Sequence, residues 1–312
     1  MQDAFAVDAL AQPAAGPVYD TDEFVQARHQ TWRKFKRHRL AITGALVLVL
    51  TVLGAIFAPW LSHFDPNAID PHWQGQPLAP GQFGHWLGTD EIGRDLYTRI
   101  LFGARISLTI AFSVVIIEVM LGTLVGAVAG FYGGRVDGLL MRLTDAFLSI
   151  PLLPLLLVLS GIVAATSSKA SLNFFSIVVI IGLLSWMNVA RLVRGAFLSL
   201  REKEFTEAAR AIGSGDARIV IKHLLPNAVA PIVVQATLDV GGVILLESVL
   251  SYLGYGIQPP TASWGSMLAN AQENITIAPW AAIYPGLAIL VTVLAINYMG
   301  DGLRDAIDPN VQ

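Results

Sequence analysis

The sequence contains no cysteine among its 312 residues. That absence removes disulfide frameworks, thiolate nucleophiles and cysteine-based metal sites together. Charge is also scarce: Lys, Arg, Asp and Glu make up 14% of the chain, against about 25% in ordinary soluble domains. A net charge of −3 is too small to suggest a nucleic-acid partner. No Gly-Lys pair occurs, so the Gly-x4-Gly-Lys-Ser/Thr loop that cradles ATP phosphates is missing. Gly-x-Ser-x-Gly and His-Glu-x2-His are missing too, which argues against a familiar intramembrane hydrolase. His29, His38, His63, His72, His85 and His223 lie in tails and loops without metal-ligand spacing and read as ordinary polar positions. Neither a metal site nor a cofactor of its own is expected for this chain.

What is abundant is apolar surface: 54% of the residues are hydrophobic and the mean hydropathy is +0.60. A helix needs roughly 20 predominantly apolar residues to cross about 30 Å of hydrocarbon. Six stretches qualify, at 41–62, 106–131, 139–165, 170–190, 227–251 and 275–300. An all-α integral membrane protein with six transmembrane helices is therefore expected. With the N-terminus inside, sixteen of the twenty Lys and Arg residues fall in cytoplasmic segments, which predicts that both termini are cytoplasmic. Arg94, Arg99, Arg105 and Lys169 stay outside.

The first 27 residues carry no Lys or Arg and are rich in Ala, Pro and Asp, a tail rather than a signal peptide. Residues 28–39 are basic, with Trp32 and Phe35 between the charges. This run reads as a topology signal or as a contact to anionic membrane lipid. The organisation expected is a cytoplasmic tail with its basic segment at 1–39 and a first span with an outer loop and amphipathic helix at 40–105. A core of five spans follows at 106–305, containing a cytoplasmic loop at 191–226, with a short tail at 306–312.

Two loops carry information. The outer one ends in Gly88-Thr89-Asp90-Glu91-Ile92-Gly93-Arg94-Asp95. Thr89 or Asp90 can cap a helix bearing Leu96, Ile100 and Ala104 on one face, expected on the outer membrane surface. Arg94, Arg99 and Arg105 are either engaged with Asp90, Asp95 or a partner, or merely solvated. In the cytoplasmic loop, Phe205, Ala208, Ala209 and Ile212 share one helical face. Gly213 supplies the left-handed residue that ends a helix, and Ser214 or Asp216 can cap the next. Pro226 sits in the first turn of span five, where no amide donor is needed. The loop is either a docking knob for a cytosolic partner or a helix lying on the bilayer.

Glu207, Ala208, Ala209, then Gly213, and finally Leu225-Pro226 follow a known signature: EAA, three residues, Gly, nine residues, Ile, any residue, Leu-Pro. His223 stands where that signature has Ile, with Ile221 and Leu224 beside it. The chain thus resembles the membrane-spanning subunits of bacterial ATP-binding-cassette importers, of type I permease fold. The run 32–35, the segment 88–99, the loop Gly254-Tyr255-Gly256-Ile257-Gln258-Pro259-Pro260 with Ser263-Trp264-Gly265, and the tail Gly300-Asp301-Gly302-Leu303-Arg304-Asp305 sharpen the likeness. They resemble the dipeptide/oligopeptide/nickel subfamily, in its permease subunit with an extra N-terminal span. The resemblance implies a bacterial inner-membrane protein that is not itself an enzyme. Its implied partners are a homologous second permease, two cytosolic subunits that bind ATP and Mg, and an extracytoplasmic substrate-binding protein. Phe205, Glu207, Ala208, Ala209, Ile212, Gly213, Leu225 and Pro226 would then form the ATPase-coupling element.

Charged residues inside spans face protein or water and usually carry function. At about 1.5 Å rise per residue, Glu118 and Asp239 both fall near mid-membrane, and Glu247 near the outer end of span five. Glu118, Asp239 and Glu247 read as lining a translocation path or as packing at a subunit interface. The rival reading from another class is a proton-coupled secondary transporter with Glu118 and Asp239 as the relay. No inverted repeat between the halves supports it.

Overall fold

The computed structural model describes residues 33–36, 38–166 and 170–307. The 1–32 segment, Lys169 and the residues from 308 onward, to which the tail readings apply, lie outside the described residues. Helix dominates, and among the described residues there are only two isolated β-bridges, Ile69 with Arg94 and Thr89 with Asp95.

Four helices are each long and apolar enough to cross a membrane: α1 (Arg39–Ile56), α2 (Leu96–Tyr132), α8 (Asp216–Tyr252) and α10 (Trp280–Ile307). Two bent pairs supply the remaining crossings. The first pair is α3 (Gly134–Leu148) with α4 (Leu152–Thr166), and the second is α5 (Ala170–Ser185) with α6 (Met187–Leu200). Two shorter helices, α7 (Glu204–Ala211) and α9 (Trp264–Ala271), lie in the loops before and after α8. Six crossings return the described chain to the face on which it started, the cytoplasmic one.

The third span is not one rod. Its two halves meet at 79° across Ser149, Ile150 and Pro151. Proline lacks the amide donor and disfavours helix at the residue before it, so the ladder stops at Leu148. The fourth span bends by 41° at Trp186 and continues past the membrane to Leu200 rather than ending near 190. The outer amphipathic helix is a second departure from the sequence reading. Leu96 and Ala104 are buried in the protein, and their turns are continuous with the second span as one helix of 37 residues. Its cap is Asp95, whose carboxylate accepts from Thr98 N at 2.7 Å, and not Thr89 or Asp90.

α2 is the central post, packed chiefly on α6 and also on α8 and α5. The closeness to α6 comes from three glycines spaced four apart. A Cβ at Gly122 would stand 2.5 Å from Val189 Cβ, at Gly126 2.8 Å from Val193 Cβ, and at Gly130 2.6 Å from Phe197 Cβ. Only glycine lets these backbones meet, which is how membrane helices gain van der Waals contact where no hydrophobic drive exists between them. Arg194 clamps Asp137 of α3 through two bonds of 2.5 and 2.6 Å, and Arg191 reaches Asp145 at 2.5 Å. These tie α3 to the cytoplasmic end of α6.

Candidate functional site

The cytoplasmic element is α7. Lys203 precedes it with extended backbone and no side-chain cap, and the Thr206 hydroxyl donates back to Leu200 O at 2.9 Å. The helix ends as the sequence predicts: Gly213 adopts φ +79°, Gly213 N donates to Arg210 O and Ser214 N to Ala209 O, at 2.9 and 3.0 Å. The following helix starts at Asp216 behind Gly215, without the side-chain cap expected from Ser214 or Asp216. Pro226 follows a π-helical turn at Val220–Leu224 inside α8, so it does not open the span. The wide turn absorbs the missing proline donor.

α7 has two faces. Thr206 and Ala209 are buried, Ala209 in a cluster with Phe131, Val193, Phe197, Ile219 and Leu224. Ala209 therefore belongs to the inner face and not to the docking face on which the sequence places it. The outward face carries Phe205, Ala208 and Ile212, the last 82% exposed. Glu207 is exposed and forms no ion pair among the described residues. Arg210 turns back over the Phe131 ring of α2, 5.7 Å from its centroid, in cation–π contact. Arg201 donates to Gly130 O at 3.3 Å, a second tie to the same post. Of the two apolar neighbours of His223, Leu224 fills the core position while Ile221 points outward.

Higher up, α2, α3, α4, α5, α6 and α8 line a cavity of about 470 Å³ that is open on one side. Its polar groups include Glu118, Asp239 and Asn188, set among Phe147, Leu155 and Leu246. Glu118 is only 3% exposed. Gln235 donates to Asp239 Oδ1 at 2.8 Å, while Asp239 Oδ2 is buried without a donor among the described residues. The Glu118 and Asp239 side chains both line this cavity. The structure thus brings these two residues, distant in sequence, to one site.

Glu247 is elsewhere. It is fully buried and accepts from Ser251 at 2.6 Å, Ser263 at 2.8 Å and Ser107 at 3.4 Å. Burial inside the subunit removes Glu247 from both the cavity and any subunit surface. It joins α8 to α2 and to the capping box of α9, where Ser263 also accepts from Ser266 N. The outer loop holds a group that the sequence reading treats as ordinary. His85 is 1% exposed, between Asp95 at 2.8 Å and Asp70 at 3.0 Å. Nothing in the local sequence around His85 signals it, since its partners are ten and fifteen residues away. Arg94 and Arg99 are engaged as one of the two readings holds, both on Asp90, at 2.7 and 3.2 Å. Arg105 instead sits over Phe102.

A six-span helical subunit with an outward-facing cytoplasmic helix and an intramembrane cavity defines a membrane transport component. The chain belongs to the family of binding-protein-dependent transport system inner membrane components, which its residues 122–312 match. Residues 27–80 match the N-terminal transmembrane domain of oligopeptide transport permease C. A dipeptide transport system permease of Alkalihalophilus pseudofirmus is 38% identical over 301 residues, 96% of each chain. An oligopeptide transport system permease of Bacillus subtilis is 34% identical over 97% of each chain. A glutathione transport system permease of Escherichia coli is 40% identical over 96% of this chain and 95% of its own.

Proposed function

We propose that this chain forms one half of the pore of an ATP-driven importer of short peptides and that α7 is its coupling helix. The observation that carries the reading is the split character of α7: Thr206 and Ala209 are sealed into the subunit while Phe205, Ala208 and Ile212 face outward. An apolar face framed by the exposed charges of Glu204 and Glu207, which form no ion pair among the described residues, suits a groove on a cytosolic subunit. The relatives named for dipeptide, oligopeptide and glutathione transport share a peptide as cargo, and this supports the substrate class.

The partners in this reading are a homologous second permease, two cytosolic subunits that bind ATP and Mg, and an extracytoplasmic binding protein. Hydrolysis belongs to those cytosolic subunits. Movement of α7 passes to α2 through Ala209, through Arg210 on Phe131, and through the Arg201 bond to Gly130. The glycine seam makes α2 and α6 move as one body. Glu118 lies one helical turn beyond Gly122 on that body, so a displacement at α7 reaches the cavity wall without an intervening loop.

Glu207→Lys in the complete complex tests this. The subunit should insert and pair with its sister permease, yet lose ATPase retention and uptake, because a reversed charge at a docking contact meets repulsion worth several kcal/mol. Wild-type uptake by that variant would reduce α7 to a surface connector. Peptide accumulation driven by a proton gradient in liposomes holding this chain alone would instead establish the secondary-transporter alternative.

A further inference from the structure

We infer that the cavity bounded by Glu118 and Asp239 is a cation subsite on the translocation path and receives the α-ammonium group of the transported peptide. The inference rests on the importer reading given above and adds what the path recognises. Three observations carry it.

First, the two carboxyl groups come from different helices, α2 and α8, and converge on one cavity of about 470 Å³. That volume lies within the range of small-ligand sites. Second, the cavity has no cation of its own. No Lys, Arg or His is among its lining residues, and neither carboxyl forms an ion pair among the described residues. Two facing carboxyl groups in apolar surroundings cannot both be charged unless a cation stands between them. Third, donors are missing where acceptors are buried. Glu118 is 97% withdrawn from solvent, and among the described residues no amide, hydroxyl or cationic side chain donates to its carboxyl group. Asp239 Oδ2 is likewise buried without a donor.

A primary ammonium supplies three N–H donors and one positive charge, which matches this deficit of donors and charge. The apolar remainder of the wall, with Phe147, Leu155 and Leu246, leaves side-chain identity unread. Such a site holds the feature common to peptides and ignores what differs between them.

The test uses the assembled transporter in nanodiscs, without nucleotide and without the binding protein, so that no upstream selectivity intervenes. The probe is the dipeptide alanyl-photoleucine, with its amine free or acetylated, crosslinked by light and mapped by mass spectrometry. The free-amine probe should label the cavity wall at Phe147, Leu155 or Leu246 about tenfold more than its acetylated form, since a charge-assisted hydrogen bond is lost on acetylation. Glu118→Gln combined with Asp239→Asn should abolish that preference while ATPase subunits remain bound. Where the double variant does not assemble, Asp239→Asn alone carries the same measurement, because its side chain is only half-buried. Equal labelling by both probes, or a preference that survives neutralisation, overturns the inference. Absence of labelling from a complex that, reconstituted in liposomes with its binding protein, still shows ATP-driven uptake also overturns it, and assigns the carboxyl pair to packing with the sister subunit. In each of those outcomes the importer reading stands, because it is judged by uptake and ATPase retention and not by crosslinking.

Discussion

The outer loop and the cytoplasmic connection are both rich in charge, and they use it in opposite ways. Outside, the charges are buried and paired with one another: Asp90 with Arg94 and Arg99, and His85 between Asp70 and Asp95. Asp90 also accepts from the backbone N–H groups of Ile92 and Arg94, at 3.2 and 2.9 Å. Inside, Glu204 and Glu207 on α7 stay exposed and form no ion pair among the described residues, and the exposed apolar side chains of Phe205, Ala208 and Ile212 stand beside them. A loop whose charges are satisfied within the chain holds its own shape. A loop that leaves both charge and apolar surface outward does not, and this exposure is what the proposed docking role of α7 rests on.

The largest effect is expected where the outer network is opened. Asp90→Ala removes the carboxylate that both Arg94 and Arg99 share, and leaves two guanidinium groups nearly buried. Loss of one partner from a buried pair costs about 3–5 kcal/mol. The variant should show a large fall in melting temperature of the purified complex and increased cleavage of the outer loop by added protease. An unchanged melting temperature would mean that the outer charges are solvated spectators, and the contrast with α7 would collapse.

An intermediate effect is expected at Gly213. No atom lies within 4 Å of a Cβ placed there, so the sole obstacle to substitution is φ of +79°. Gly213→Ala should cost about 1 kcal/mol locally. Because α7 points outward, this loss should appear as weaker ATPase retention rather than as unfolding of the subunit. Equal retention by the variant and the wild type would show that the helix end need not be fixed for docking.

These contrasts were only partly legible in the sequence. Span length and charge asymmetry anticipated the long helices, because a bilayer imposes the same requirement on every residue of a span. The 79° bend at Ser149–Pro151 was hidden by apolar composition on both sides, although Pro151 itself is the physical cause. On α7 the end at Gly213 was readable from conformational preference alone. The side of Ala209 was not, since a helix of eight residues offers two turns and alanine suits either face. The seat of Glu247 depends on Ser107 and Ser263, brought in from other elements, and the convergence of Glu118 with Asp239 likewise requires the packing of α2 on α8.

The smallest effect is a pH dependence, and it sharpens the same comparison at the outer loop. Partial burial favours the neutral form of Asp70, but the backbone N–H of His72 and the rings of His85 and His72 outweigh it and hold the carboxyl below its ordinary value of 3.8. A carboxyl with a lowered folded-state pKa binds its proton more weakly when folded than when unfolded. Its contribution is therefore fully present above the unfolded value and disappears as pH falls through the lower, folded value. At neutral pH, Asp70→Asn should produce a modest loss of thermal stability that is absent in strong acid, where the wild-type carboxylate is itself protonated. Melting curves of wild type and variant should accordingly converge as pH drops below about 3.8. Curves that stay parallel down to the acid limit would show that Asp70 acts through shape alone, leaving the Asp90 cluster as the outer loop's electrostatic anchor.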